Sequence, residues 1–213
     1  MWQERRLVRL TAALFALLST ACGSSSTPTS PTSSLITTSA VILHGETSDA
    51  PGDAVVSAGV GNPPDLIRGT VDVTGTSVTF AIQFASGTMN AQTTRLTIQL
   101  DTDQNPSTGV PGGNGVGIDY IVDVWAVRAQ QTLVQQAQPA SCATGGTCYT
   151  DVGAVSASLG TDTLSTTVPL SMLGNVSGRM NYRVFAYASP QTTSPTVVAD
   201  VMPDITAAPA HVP

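Results

Sequence analysis

Apolar and polar residues alternate through most of this chain. Val78, Phe80, Ile82 and Phe84 interleave with Thr79, Ala81 and Gln83, and Leu96, Ile98 and Leu100 interleave with Arg95, Thr97 and Gln99. A two-residue period places apolar side chains on one face of an extended strand, the pattern of half-buried antiparallel sheets. Further strands are predicted over 55–60, 66–73, 118–128, 131–136, 152–159, 163–168, 179–188 and 196–202. Asn62-Pro63-Pro64-Asp65, Thr74-Gly75-Thr76, Ser86-Gly87 and Ser189-Pro190 supply turn chemistry between them. The segments 151–159 and 162–168 read as a hairpin across Gly160-Thr161. The one helical hint, 169–173 ending at Gly174, amounts to a single turn. About nine or more short strands separated by regular turns predict an all-β fold, an antiparallel β-sandwich of jelly-roll or immunoglobulin-like type. That domain is expected over 40–203, with the Ala- and Pro-rich segment 204–213 as a flexible tail.

The N-terminus breaks the alternation. Arg5, Arg6 and Arg9 precede an apolar run over 10–18 and then Ser19-Thr20-Ala21-Cys22. A basic segment, a short apolar stretch and small residues before a cut site make a secretory signal peptide over 1–21. The run is too short to span a bilayer, which takes ~20 apolar residues. Leu18-Ser19-Thr20-Ala21-Cys22 resembles the lipobox of bacterial lipoproteins, in which the cysteine is lipidated and becomes the mature terminus. Ser19 stands where that motif usually has leucine. The Ser/Thr/Pro-rich stretch that follows, 22–39, has too little apolar surface to offset ordering entropy and reads as a tether. Its reach is roughly 25 Å as a flexible coil. Lipidation at Cys22 makes the membrane a partner through the anchor and places the protein on a bacterial cell envelope.

Charge narrows the partners. From Cys22 onward there are five arginines and no lysine against thirteen carboxylates, a formal charge of −8. An acidic surface disfavours nucleic acid, which needs a basic face. It is compatible with cation binding. Cys142 and Cys148 bracket Ala143-Thr144-Gly145-Gly146-Thr147 in an exported chain, and a disulfide closing that loop is expected. Chain entropy gives such a bond roughly 2–2.5 kcal/mol.

The segment with candidate chemistry is Asp101-Thr102-Asp103-Gln104-Asn105-Pro106-Ser107-Thr108-Gly109, with Gly117-Ile118-Asp119-Tyr120 opening the next strand. Asp-x-Asp-x-Asn sets three short oxygen-bearing side chains at alternate positions, so a curled backbone can aim them at one centre. Ca²⁺ takes six to eight oxygen ligands, and carbonyls and water can complete the set. Asp101, Asp103, Asn105 and Asp119 are the candidate ligands. The loop is not an EF-hand, because Pro106 replaces the glycine and no glutamate closes it. The alternative is an Asx-turn in which these side chains only cap loop backbone.

These residues resemble secreted β-sandwich domains related to family-9 carbohydrate-binding modules and DOMON domains, in which a strand ends in Asp-x-Asp, a Thr-Gly loop follows and the next strand opens with Gly-x-Asp-Tyr. Gly52-Asp53, Pro64-Asp65-Leu66 and Val168-Pro169-Leu170-Ser171-Met172-Leu173-Gly174 fit as well. The resemblance implies a jelly-roll-like sandwich, often with structural calcium, that binds sugars or, in some relatives, haem. Sugar sites stack aromatic rings on pyranose faces. Asp123 and Trp125, on the side of their strand opposite Tyr120, Val122 and Val124, are the ring-plus-carboxylate candidates. The other reading of Trp125 is a cover packed on the sheet. For haem, His44 lies ahead of the first predicted strand, His211 in the tail and Met89 in a turn.

Catalysis is not expected. The chain has no lysine for a Schiff base and no Gly-x-Ser-x-Gly elbow. Two functions follow from this reading: a non-catalytic, calcium-stabilised module binding extracellular glycan, or a structural lipoprotein docking another envelope protein.

Overall fold

The computed structural model describes residues 39–55, 62–112, 115–126, 131–188 and 197–213. The export segment, Cys22 and its tether, most of the strand expected over 55–60, and the outer ends of those over 118–128 and 196–202 lie outside them.

Two antiparallel sheets stack face to face. One has the strand order β1 (Leu43–Ser48), β2 (Leu66–Val73), β3 (Ser77–Phe84), β11 (Thr163–Pro169), β10 (Ala157–Leu159). The other runs β13 (Val197–Met202), β12 (Met180–Ala188), β4 (Thr94–Asp101), β7 (Tyr120–Trp125), β8 (Thr132–Ala137), β9 (Tyr149–Val155). β14 (Ala210–Val212) pairs with β12, and β5 (Val110–Pro111) forms a small ladder with β6 (Gly117–Ile118). The predicted alternation is what fills the space between the sheets. Val78, Phe80, Ile82 and Phe84 of β3 meet Leu96, Ile98 and Leu100 of β4 and Val122 and Val124 of β7 in one core. Each such side chain contributes about 1.5–3 kcal/mol by leaving water.

Several elements depart from the expected pattern. The strand expected over 118–128 breaks at Asp119, whose N–H donates to the Leu100 carbonyl (2.9 Å) while its carboxylate turns to Thr102. The break moves Ile118 off the main core into a second cluster with Val110, Val116, Ile121 and Ala137, on the opposite side of the larger sheet. The 152–159 strand is two, because the chain leaves one sheet and enters the other at Ser156; only β10 pairs with β11 in the expected hairpin. The predicted single turn is a 3₁₀ turn, Leu170–Leu173, closed by Gly174 at φ 73°. A short helix, α1 (Pro139–Ala143), and the strand β1 containing His44 were not foreseen.

The expected flexible tail is the largest correction. Ala210–Val212 pairs with Met180, Asn181 and Tyr182, and Val212 is fully buried. β13 and β14 lie along the same edge of β12, and Arg183 sits where the chain passes between them. Its guanidinium donates to the carbonyls of Pro203 (3.3 Å), Asp204 (2.9 Å) and Ala207 (2.8 Å). Those bonds order a segment whose composition alone reads as frayed. No helix among the described residues is long and apolar enough to cross a membrane.

Candidate functional site

The end of β4 and the loop after it draw carboxylates together. Asp101 is fully buried; its Oδ1 accepts the Asn105 N–H (2.9 Å) and its Oδ2 the Asn181 side-chain amide (3.2 Å). Asp103 accepts the Thr108 hydroxyl (2.9 Å) and the Asn105 N–H (3.0 Å). Asp119 accepts both the N–H and the hydroxyl of Thr102, each at 2.9 Å. Carboxylate oxygens of Asp101, Asp103 and Asp119 then lie within 4.8 Å of one another. Asn105 takes part mainly through its backbone, since its side-chain oxygen accepts the Ser107 N–H (3.1 Å). Burial pushes Asp101 above the usual carboxylate range; the amides of Asn181 and Asn105 pull it back, and the neighbouring Asp103 raises it again.

Two glycines make this curl possible. Gly109 has φ 67°, and a β-carbon on it would strike the Ile118 backbone. One on Gly117 would strike the carbonyl oxygens of Thr108 and Asn105. The two arms of the loop touch backbone to backbone, which only glycine permits.

The outward side of the larger sheet carries the second predicted pair. Trp125 donates its indole N–H to Asp123 Oδ2 (3.0 Å). Arg95 grips the same carboxylate with Nε to Oδ1 at 2.7 Å and a second bond to Oδ2 at 3.1 Å. Register places Tyr187, Arg95 and Trp125 side by side on β12, β4 and β7. The guanidinium lies 4.6 Å from the centre of the Trp125 ring and 5.5 Å from that of Tyr187. Phe185 stacks beside Tyr187 with centroids 6.4 Å apart. Arg95, Trp125, Phe185 and Tyr187 are all half-buried, while Asp123 beneath them is buried. The sequence pointed to Asp123 and Trp125 but missed Arg95 and Tyr187. Both lie on other strands, and only sheet order brings them alongside.

The expected disulfide joins Cys142 and Cys148, with α1 inside the loop it closes. Cys142 and Tyr149 pack against the second apolar cluster.

A further acidic group lies where the segments 49–55 and 62–65 meet the edge strand β13. Carboxylate oxygens of Asp53, Asp65 and Asp200 are within 4.8 Å of one another, as are those of Asp49, Asp53 and Asp204. Burial pushes Asp49 up to about 7, with the charges of Asp200, Asp53 and Asp204 adding to it. Burial likewise pushes Asp200 up to about 6, opposed by the Leu66 and Val201 amides. Gly52-Asp53 and Pro64-Asp65 stood out in the sequence, but Asp200 lies 134 residues beyond Leu66, to whose N–H it bonds.

Compared with protein-family models and with curated proteins, the chain matches none.

Proposed function

We propose that this chain is a lipid-anchored protein of a bacterial cell envelope, attached through Cys22, whose β-sandwich is a non-catalytic module for extracellular glycan. The observation that carries the reading is the row of Tyr187, Arg95 and Trp125 across three adjacent strands, over the buried carboxylate of Asp123. Half-exposed rings provide stacking faces for sugar, and the guanidinium provides directional donors for hydroxyls. Calcium is proposed as a structural ion at Asp101, Asp103 and Asp119, with Asn105 beside them. The donor set supports it: all its ligand atoms are oxygen, and none of the described ion pairs neutralises the three carboxylates. The ion would balance their charge and hold the loop between β4 and β6.

Affinity electrophoresis through gels containing single polysaccharides tests the glycan reading. Retardation of the parent on at least one polysaccharide, lost in Trp125→Ala and Tyr187→Ala at unchanged unfolding midpoint, is the expected result. Equal retardation of parent and variants on every gel removes this face as the binding site. For the ion, calcium is expected to raise the unfolding midpoint over chelator, and Asp103→Ala to shrink that rise.

One observation favours the second reading, a structural lipoprotein docking another envelope protein. The indole N–H is already given to Asp123 and one ring face to Arg95, as in a tryptophan packed by its own sheet. That reading expects Trp125→Ala to lower stability and leave every polysaccharide gel unaffected.

A further inference from the structure

We infer that Asp53, Asp65 and Asp200, with Asp49 and Asp204 at the rim, hold a second divalent cation of the calcium class, which clamps the segments 49–55 and 62–65 to the edge of the larger sheet. This site shares no residue with the loop after β4.

Asp65 is only 6 % exposed, and its Oδ2 accepts the Gly52 N–H at 2.7 Å. Its other oxygen, Oδ1, is buried with no hydrogen-bond partner among the described residues. A buried carboxylate oxygen left bare is costly, and such groups are otherwise paired or bound to metal. The pairing is absent here: none of the ion pairs among the described residues reaches any of the five aspartates. Arg183 donates to the main-chain carbonyl of Asp204. Asp49 Oδ2 is likewise buried with no hydrogen-bond partner among the described residues.

The surroundings suit a hard cation. Asp200 is 8 % exposed and already oriented by two amides, Leu66 N–H to Oδ2 at 2.6 Å and Val201 N–H to Oδ1 at 2.7 Å. Oxygens no more than 4.8 Å apart can share one ion, because twice a Ca–O distance of ~2.4 Å is about that span. Asp53 is exposed and borders a depression of about 170 Å³ with Asp200 and Asp204, leaving room for water to complete the shell. The location also gives the ion something to hold. Asp65 leads into β2 of one sheet, Asp200 belongs to β13 of the other, and the Val55 N–H bonds the Ala199 carbonyl at 2.7 Å. An ion bridging Asp65 and Asp200 would tie the two sheets at their shared edge.

The test counts calcium ions on the full chain by native mass spectrometry, alongside thermal unfolding in calcium and in chelator. Asp65→Asn, Asp53→Asn and Asp103→Asn are compared with the parent. Asp65→Asn and Asp53→Asn are each expected to carry one ion fewer than the parent. Asp103→Asn is expected to keep the ion that those two lose. At a concentration ~100 times Kd, that ion should supply a midpoint rise of about 5–10 °C. In chelator both variants should melt no earlier than the parent, since each removes a like charge from the cluster. If Asp65→Asn does not fold, Asp53→Asn carries the test, because its side chain is exposed. A parent that binds no calcium, or variants at Asp53 and Asp65 with the parent's ion count and midpoint rise, overturn the inference. Failure of the loop after β4 shows separately, as an Asp103→Asn variant indistinguishable from the parent.

Discussion

The guanidinium of Arg183 and the carbonyl oxygen of Ala207 lie 2.8 Å apart, on the outer edge of a β-sandwich where the arginine is fully buried. Three carbonyls of the 203–207 stretch depend on that one side chain, and Arg183 Nε has no partner among the described residues. Burial lowers the arginine's pKa, opposed by the charge of Asp204.

Arg183→Met should therefore strand the carbonyls and free the C-terminal strand. A loss of about 3 kcal/mol or more is expected in denaturant unfolding. Hydrogen exchange at Ala210 and Val212 should quicken more than exchange in β4. Uniform loss of protection across both sheets would show instead that the arginine supports the whole core.

Tyr182 offers a stabilising change. It is fully buried in the main core, and its hydroxyl has no hydrogen-bond partner among the described residues. Burial pushes its pKa upward, the same penalty seen as titration. Tyr182→Phe removes the unpaired hydroxyl without changing the ring. Stability should rise by about 1 kcal/mol. A fall of that size would mean that the hydroxyl bonds an internal water.

Gly117→Ala tests the packing of the acidic loop. The new β-carbon would meet backbone oxygens of Thr108 and Asn105, which cannot rotate away. A loss of about 1–3 kcal/mol is expected, with exchange protection lost at Val110 and Ile118. Gly75→Ala, where nothing lies within 4 Å, is the control and should be near neutral. Equal losses at both positions would show that the approach to Thr108 and Asn105 does not set the cost, because the entropy term of Gly→Ala by itself stabilises.

His44 gives a pH dependence. Its Nδ1 lies 2.6 Å from Asp72 Oδ1, and this hydrogen bond, with the nearby charges of Asp72 and Glu46, raises its pKa above 6.5. The proton is bound more tightly in the folded chain than in the unfolded one. The pair's stabilisation is thus complete below pH 6.5 and disappears as pH rises through the raised value. The side chain is exposed, so the effect on unfolding is small and the clean readout is the imidazole resonance. Its midpoint should lie above 6.5 and fall in Asp72→Asn. An unchanged midpoint in that variant would mean that the bond does not persist in solution.

Strand faces were legible because a sheet has one period, and Val78 to Phe84 or Leu96 to Leu100 can satisfy it in only one way. Local chemistry was legible for the same reason of proximity: Asp101, Asp103 and Asp119 flank one loop, Cys142 and Cys148 close another, and Gly174 ends a turn. What tertiary structure alone decided are the contacts between distant segments. Arg95 meets Tyr187 and Trp125 only because β4 lies between β12 and β7. Asp200 meets Asp53 and Asp65 only because β13 borders the loop before β2. The Ala- and Pro-rich terminus becomes a strand because a buried arginine on β12 supplies the donors its backbone needs. Composition sets what a segment can do alone, whereas order in these places comes from partners twenty or more residues away, which no local pattern encodes.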